Sequence, residues 1–218
     1  MNKLLAAAGF AFLWAAAPGC AAELHVLVKD QRGRPVADAV VLATAMDPKG
    51  APRAKPPIDA VDQVDKQFVP YVKPVFVGSK VRFPNSDHIR HQVYSFSPAK
   101  KFELPLYGGT DAPPVIFDKP GVVVLGCNIH DWMVGYIYVS ETPFFAKTAA
   151  SGTAAIVDLP PGDYTVRLWH PGMQHGEETT SRRLTLSAGA ATNAEWQLDL
   201  KPSLRIPRVS GAASPSYP

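Results

Sequence analysis

Apolar and polar residues alternate over short stretches along most of the 218-residue chain. Near the start, every second residue is apolar at Leu24, Val26 and Val28, and these positions alternate with others that include His25 and Lys29. This period of two is typical of a strand that buries one face, and it leaves His25 on the opposite face. We find no stretch with a convincing helical period of 3.6 residues and no tandem repeat of fixed length. The pattern therefore predicts an all-β protein.

Turn-forming residues divide the chain into many short strands. The chain has 22 prolines and 16 glycines, and many of them fall between apolar runs, as in "DQRGRP" and "LPPGDY". Glycine and proline at such points favour turns between strands. The stretch "SPAKKFELPLYGGTDAPP" has no clear alternation and predicts a long irregular excursion. Strands are predicted near residues 24–29, 36–45, 91–96, 115–117, 122–127, 135–139, 154–157 and 164–169, on both sides of a turn at residues 78–79, and twice within residues 181–200.

Changes in composition predict the division of the chain. "DPKGAPRAKPP" is a linker rich in proline, lysine and glycine, and a new alternating unit begins just after it. The texture changes again near residue 141, and the end of the chain is rich in proline and serine with few apolar residues, which is typical of a disordered tail. The predicted units are a leader at 1–22, a first segment with its linker at 23–57, a central domain at 58–140, a third segment at 141–200 and the tail at 201–218.

The first 22 residues have the features of a secretory signal peptide. Lys3 provides a basic start, an apolar run follows, and "PGCAA" provides small residues for cleavage after Ala22. The apolar run is too short to span a membrane, so no stable membrane insertion is expected after cleavage. Lipidation of Cys20 is the alternative fate, which Pro18 disfavours. Both readings predict export, most simply to a bacterial periplasm.

Charge and cysteine content exclude some functions and leave one question open. The net charge of +3 is spread along the chain, and without a basic stripe and interleaved aromatic residues it does not indicate nucleic-acid binding. Removal of the leader leaves Cys127 as the only cysteine, so no intramolecular disulfide can form, although an oxidising compartment permits one. Cys127 is therefore either a small buried apolar side chain or a ligand.

The neighbours of Cys127 favour a ligand. In "CNIHDWM", Cys127, His130 and Met133 recur at intervals of three residues between the apolar runs "GVVVL" and "GYIYV". A short loop between two buried strands would bring these side chains to one point. A thiolate, two imidazoles and a weakly bound thioether form the electron-transfer site that selects copper. The second imidazole has two candidates, His88 and His91, both in "FPNSDHIRHQVYSF".

The central domain resembles the cupredoxins. The resemblance is carried by "FVPYVKPVFVGSKVRFPNSDHIRHQVYSF" and by "CNIHDWM", which has the C-x-x-H-x-x-M spacing of the amicyanin type, and it covers about residues 58–140. It implies a Greek-key β-sandwich that binds one type 1 copper ion through His91, Cys127, His130 and Met133, with His88 in a solvent-facing loop. Gln92 departs from the family, which usually has asparagine directly after the first histidine ligand.

The flanking segments resemble a second family. "DQRGRPVADAVV" and "SGTAAIVDLPPGDYTVRLWHPG" look like the two ends of a carboxypeptidase-regulatory-like, or transthyretin-like, β-sandwich. This resemblance implies a smaller sandwich that is split by insertion of the central domain. The alternative is that these segments simply extend the central unit. His170 and His175, in the polar turn "WHPGMQH", are interpreted as turn residues, and a second metal site there is the less favoured alternative.

The leader and the cupredoxin resemblance together imply a periplasmic protein that carries single electrons rather than an enzyme. By the cupredoxin resemblance, His130 would be the exit for electrons, with Trp132 and residues 103–107 as the rim that docks a periplasmic redox protein or enzyme. Chains of this texture are similar to those labelled methylamine utilisation proteins. Two alternatives stay open: a copper storage, delivery or sensing module without redox cycling, and a metal-free sandwich that binds carbohydrate or protein.

Overall fold

The computed structural model describes residues 21–47, 58–108 and 112–202. Most of the leader, residues 48–57 of the linker and the tail beyond residue 202 lie outside the described residues. Ala22, the last residue of the predicted leader, is the first residue of β1. Lys201, the first residue of the predicted tail, donates its backbone N–H to the carbonyl of Gly172 at 2.8 Å.

The described residues form seventeen strands and one short 3-10 helix, which confirms the all-β prediction. The first nine strands are β1 (Ala22–Asp30), β2 (Val40–Ala45), β3 (Ile58–Ala60), β4 (Asp62–Val64), β5 (Gln67–Val69), β6 (Val72–Phe76), β7 (Ser79–Arg82), β8 (His91–Ser97) and β9 (Lys100–Tyr107). The others are β10 (Val115–Phe117), β11 (Gly121–Cys127), β12 (His130–Ser140), β13 (Phe145–Lys147), β14 (Thr153–Leu159), β15 (Gly162–Trp169), β16 (Arg182–Leu186) and β17 (Ala191–Leu198), with the 3-10 helix at Glu177–Thr180 before β16. In the described part of the chain, no helix is long and apolar enough to cross a membrane.

The central strands form one sandwich. A five-stranded sheet has the order β6-β12-β11-β8-β9, and a three-stranded sheet has the order β10-β7-β3. The two sheets share one apolar cluster, to which Val81 and Phe117 contribute from the smaller sheet and Val93, Val123 and Ile137 from the larger. Burial of this cluster excludes water from the space between the sheets and stabilises the domain.

Among the described residues, the strands before and after the central domain pair only with one another. β1 lies between β14 and β17, and β2 lies between β13 and β15, which in turn pairs with β16. The alternation predicted for β1 is confirmed, because Leu24, Val26 and Val28 are buried between the sheets. Tyr164, in the "LPPGDY" turn, is also buried and donates its hydroxyl to the carbonyl of Pro160 at 2.8 Å. The polar end of this ring is thus satisfied where its apolar body enters the core.

A separate apolar cluster joins the two sandwiches. Val40 and Leu42 of β2 pack with Val72 of β6 and Tyr138 of β12. The ring of Trp169, on β15, lies 5.4 Å from that of Tyr138 between centroids. The second sandwich therefore covers part of the outer face of the five-stranded sheet, at the end of β12 remote from His130.

Polar contacts reinforce this junction. Tyr138 donates its hydroxyl to a carboxylate oxygen of Glu177 at 2.6 Å, and Arg167 lies 3.5 Å from the other oxygen of that carboxylate. Burial, together with the neighbouring Glu177 carboxylate, raises the pKa of Tyr138. The phenol is therefore a neutral donor at physiological pH, and the junction needs no buried charge on the tyrosine.

One sequence prediction about the central domain is wrong, and a second, the strand at residues 135–139, is confirmed with an earlier start. Residues 100–107, predicted as part of an irregular excursion, form β9 and pair with β8. Pro105 obscured this strand, yet β9 is an edge of its sheet, where a residue without an N–H is tolerated. The strand predicted at residues 135–139 begins earlier, at His130, and the turn before it is only the two residues Asn128 and Ile129.

The buried rings of the central sandwich give a direct test of its core. Phe117 is fully buried, and its ring meets that of Phe102 at 6.0 Å between centroids. Replacement Phe117→Ala should lower the free energy of unfolding of the metal-free protein by about 3–5 kcal/mol, because it removes a buried ring and leaves a cavity. The matched control is Phe96→Ala, since Phe96 is exposed and its loss should cost about 0.5 kcal/mol or less. Urea unfolding measures both, and equal losses would contradict this description of the core.

Candidate metal centre

The β11–β12 hairpin carries two of the predicted ligands on adjacent positions. β11 ends at Cys127, and β12 begins at His130 after a two-residue turn. Cys127 and His130 face each other across the hairpin as a register pair. Cys127 and His130 therefore lie at strand ends rather than in a free loop, and the hydrogen bonds between the strands fix their backbone positions.

A bulge in β12 accounts for the spacing of the motif. Gly126 pairs with Val134, but the next residue of β11, Cys127, pairs with His130. Residues 131–133 are thus extra residues on β12, a local irregularity of the kind that redirects side chains at the edge of a functional site. Within the bulge, Asp131 and Trp132 are exposed, whereas Met133 is 1% exposed. The bulge turns the thioether inward and the indole outward.

Gly126 leaves space for a tyrosine ring on the outer face of the hairpin. It pairs with Tyr94 of β8, and a Cβ atom on residue 126 would lie 2.7 Å from Cζ of the tyrosine ring. Real Cβ contacts are not that short, so a larger residue would displace Tyr94. Glycine at this position makes room for the ring of Tyr94 over β11, directly beside Cys127.

The structure brings His91 to the hairpin from a distance of 36 residues in the sequence. His91 is the first residue of β8 and is fully buried. Its Nδ1 lies 3.7 Å from Sγ of Cys127, and Nδ1 of His130 lies 3.8 Å from the same sulfur. One ligand atom from each of the three residues lies within 4.8 Å of the others. Three donors therefore surround one point at the end of the sandwich.

The other candidates differ in their positions. Met133 belongs to the same apolar cluster as Cys127, on the buried side of the hairpin. His88 is exposed and does not join the cluster of donors. In the part of the chain that the structure describes, the group of His91, Cys127 and His130 is the only such cluster of three or more histidine, cysteine or acidic side chains. His170 instead accepts a hydrogen bond at Nδ1 from the N–H of Gly172, at 3.0 Å.

Hydrogen bonds at the cluster stabilise an anionic sulfur. Burial acts to raise the pKa of Cys127, but the hydrogen bond with His91 and the backbone N–H groups of Gln92 and Ile129 outweigh it and lower the pKa. Burial likewise acts to lower the pKa of His91, but its hydrogen bonds with Cys127 and Asp87 outweigh it and raise the pKa. The thiolate is the form of cysteine that binds metal ions, and the surroundings of Cys127 favour it.

Asp87 is a member of the site that the sequence analysis missed. Its Oδ2 lies 2.7 Å from Nε2 of His91, on the side of the ring opposite Cys127. Burial acts to raise the pKa of Asp87, but hydrogen bonds from the N–H of Lys66, from His91 and from the N–H of Asp65 outweigh it and lower the pKa. The only signal in the sequence was an acid four residues before a candidate ligand, which many surface loops also contain.

The residue after the first histidine does not brace the ligands through its side chain. Gln92 donates its side-chain amide to Glu103 on β9, at 2.5 Å. Asn85 instead braces the loop between β7 and β8 (residues 83–90, the ligand loop), which leads into His91. Its side-chain amide donates to the carbonyls of Ile89 and Tyr107 at 2.9 and 3.0 Å. The departure from the usual asparagine is thus accompanied by a different asparagine that ties the loop to β9.

The donor set fits a copper ion. A thiolate and two imidazole nitrogens converge, and a buried thioether lies in the same cluster as the thiolate. Thiolate, imidazole and thioether donors are those that proteins use for copper in electron-transfer sites, whereas calcium and magnesium prefer oxygen ligands. Zinc also accepts cysteine and histidine, but a thioether in the same cluster is typical of copper sites.

Comparisons with known proteins give matches to solved structures alone. No family model matches the chain, and no curated protein matches it. Among solved structures it is similar to a purple cupredoxin from Nitrosopumilus maritimus (23% identity over 38% of this chain and 99% of that chain, TM-score 0.34). It is also similar to a reduced amicyanin variant (21% identity over 45% of this chain and 98% of that chain, TM-score 0.35).

A third similar structure belongs to a longer protein. The copper-containing nitrite reductase from Thermus scotoductus SA-01 is 28% identical over 53% of this chain and 28% of that chain, with a TM-score of 0.37. The chain thus spans less than a third of that reductase. With scores this low, the case for a metal site rests on the geometry of His91, Cys127 and His130.

His88 in the ligand loop and His91 at the start of β8 give a matched pair of variants. We expect His91→Ala to lower the affinity for Cu²⁺ by more than about 100-fold, because loss of a buried donor exceeds the 10–100-fold cost of losing an outer-shell partner. His88→Ala removes the same side chain from an exposed position of the ligand loop and should change the affinity less than about twofold, a difference of ~0.4 kcal/mol. Competition titration with a chelator measures both constants. Equal losses in the two variants would contradict the assignment of His91.

Proposed function

We propose that this protein is a type 1 copper protein that carries single electrons, with His91, Cys127, His130 and Met133 as the ligands of one copper ion. The observation that carries the proposal is the approach of the Nδ1 atoms of His91 and His130 to Sγ of Cys127, at 3.7 and 3.8 Å. Bound copper would supply a one-electron couple between its cuprous and cupric states. The remaining requirements fall on the protein itself, which must hold the donors still and bring one of them near the surface.

The sheet supports the first requirement. His91 begins β8, Cys127 ends β11 and His130 begins β12, and these three strands are neighbours in one sheet. Ladder hydrogen bonds and the packed core beneath them restrict movement of the donors. A ligand set that keeps its geometry in both oxidation states exchanges electrons with little reorganisation, which is the property that a carrier needs.

A series of rings supports the second requirement. The ring centroids of His91 and His130 are 5.0 Å apart, and those of His130 and Trp132 are 5.2 Å apart. Exposure increases along the series, from the buried His91 through the half-buried His130 to Trp132, which is 39% exposed. His130 is therefore the proposed exit for electrons, with Trp132 at the surface beside it.

Burial favours a carrier over a copper storage or delivery module. Cys127 is 3% exposed and His91 is fully buried, so an incoming ligand from an acceptor protein has no direct access to either donor. Transfer of a copper ion between proteins requires such exchange of ligands, whereas transfer of an electron does not. The four proposed ligands also leave no position for a substrate, so we propose a carrier rather than an enzyme.

The leader and the domain division support a proposal for the location and partner of the protein. The leader supports export to the periplasm, where a redox protein or enzyme would be the partner. We propose the domain division of residues 58–140 as a copper domain inserted into a sandwich built from 23–57 and 141–200. The pairing of β1 and β2 solely with strands after residue 144, among the described residues, supports that division.

The ligand assignment is tested by the visible spectrum of the copper-loaded protein. We expect an intense thiolate-to-copper band in the parent protein and its loss in Cys127→Ser, because the hydroxyl oxygen that replaces sulfur cannot give this transition. Cyclic voltammetry of the parent should show a reversible one-electron wave. If the parent protein binds copper but lacks the thiolate band or the reversible wave, the electron-carrier proposal is wrong and a copper storage module is favoured. If the parent protein binds no copper, the metal-free alternative is favoured.

The docking rim is tested by electron self-exchange between oxidised and reduced copies of the protein. Trp132 lies beside the proposed exit, His130. Leu106 is 49% exposed and adjoins Tyr107, which pairs with His91, so it lies at the same end of the sheet. We expect Trp132→Ala and Leu106→Ala each to slow self-exchange by about tenfold, equivalent to ~1.4 kcal/mol of encounter energy. NMR line broadening measures the rate. Phe96→Ala is the control at an exposed ring away from the exit, and an equal effect there would refute the assigned rim.

A further inference from the structure

Asp87 connects the ligand His91 to a separate β-hairpin. One carboxylate oxygen, Oδ1, accepts the backbone N–H of Asp65 at 2.6 Å. The other, Oδ2, accepts the N–H of Lys66 at 2.9 Å and lies 2.7 Å from Nε2 of His91. The backbone N–H of Asp87 is itself held by the side chain of Asn85 at 3.0 Å. Three hydrogen-bond donors thus converge on a single carboxylate, and one of them belongs to His91, a proposed copper ligand.

The hairpin presents its N–H groups to Asp87 because of its turn. Asp65 and Lys66 join β4 to β5 with φ angles of 52° and 59°, the left-handed conformation that two-residue hairpin turns of type I′ require. Neither residue is glycine, so the turn carries a steric cost. Acceptance of both N–H groups by one carboxylate offsets that cost and fixes the turn against the ligand loop.

The same hairpin is held against the strand that bears His130. Phe68, on β5, packs over Gly135 of β12, where a Cβ atom would lie 2.8 Å from Cβ of the phenylalanine. Phe68 is buried in the core of the sandwich. The carboxylate of Asp87 is therefore supported from β12 through the hairpin, and it is not a mobile surface group.

The position of Asp87 determines which nitrogen of His91 faces the other proposed copper ligands. A carboxylate accepts hydrogen bonds, so Nε2 of His91 donates to Oδ2 and carries the proton. Nδ1, on the opposite side of the ring, faces Sγ of Cys127, and it is the nitrogen that would bind copper once it loses the proton of its hydrogen bond to the sulfur. Carboxylates that bind the far nitrogen of a ligand histidine are known to fix its tautomer and to strengthen it as a donor.

We propose that Asp87 is a positioning residue that orients His91 for copper and stabilises the cupric more than the cuprous state. The inference rests on the proposed function, since it concerns a ligand of the proposed copper ion. A negative charge behind the imidazole increases electron donation, and the more highly charged ion gains more from it. Asp87 therefore lowers the reduction potential of the site, and the β4–β5 hairpin keeps it in place to do so.

The test compares Asp87→Asn with Asp62→Asn. Asparagine has the shape of aspartate but no charge, and its single carbonyl oxygen cannot accept from all three donors. Asp62 is a matched control because it also ties the hairpin to the ligand loop, accepting the hydroxyl of Ser86 at 2.7 Å. It makes this link without a contact to His91. If the role of Asp87 were purely structural, the two substitutions should therefore have similar effects on copper binding and on the reduction potential.

For Asp87→Asn we expect the affinity for Cu²⁺ to fall by about 10–100-fold and the affinity for Cu⁺ to fall less. A tenfold difference between the two losses raises the reduction potential by about 59 mV for a one-electron couple. Asp62→Asn should leave the potential unchanged. Asp87→Glu, which keeps the carboxylate, should restore a potential closer to that of the parent. Voltammetry and chelator competition for each copper state measure these quantities.

A second measurement needs no variant and covers the case in which Asp87→Asn does not fold. In the parent protein loaded with Cu⁺, ¹⁵N–¹H NMR should show a slowly exchanging proton on Nε2 of His91. Absence of that proton, or equal potentials for Asp87→Asn and Asp62→Asn, would overturn the inference while the parent spectrum still supported the copper site. A parent without the thiolate band would instead overturn the proposed function.

Discussion

The pairing of Cys127 with His130 across a two-residue turn is the constraint on which the candidate centre depends. An unbroken antiparallel ladder would carry the register on from Gly126 and Val134 and place Met133 opposite Cys127. The three extra residues of the bulge instead bring an imidazole beside the sulfur. Because the next strand along the sheet, β8, starts with His91 at the same end, a second imidazole reaches the same sulfur without further rearrangement.

Local parts of this arrangement could be predicted from the sequence, and long-range parts could not. The interval of three residues in Cys127, His130 and Met133 is visible directly, because a hairpin turn brings near neighbours together. The choice of His91 over His88 needed a resemblance to a known family, since alternation predicts that a strand begins near His91 but does not say which histidine reaches Cys127. Asp87 was missed because its partners come from a hairpin some twenty residues earlier, which the sequence analysis did not separate from its surroundings. β9 was missed because Pro105 is read as a break, although an edge strand tolerates it.

One strand, β12, serves both the candidate centre and the junction between the sandwiches. Its first residues carry His130 and the bulge, while Tyr136 and Tyr138, farther along, pack against Trp169 of the second sandwich. The apolar outer face of the sheet is thus covered at the end remote from the cluster of donors. The end with His130 and Trp132 is left accessible, so the second sandwich stabilises the strand without blocking the proposed route for electrons.

The two histidines of the cluster have different surroundings, and the difference is consistent with different roles. His91 is fully buried, with its far nitrogen held by a carboxylate that is itself anchored to a hairpin. His130 is half-buried and meets the ring of Trp132, which reaches the surface. A charge behind a ligand is costly where docking of a partner removes water from it without pairing it. Behind His91 the charge is already paired with three hydrogen-bond donors. An anionic group can therefore tune the proposed copper ion from the His91 side without weakening the encounter that takes place on the His130 side.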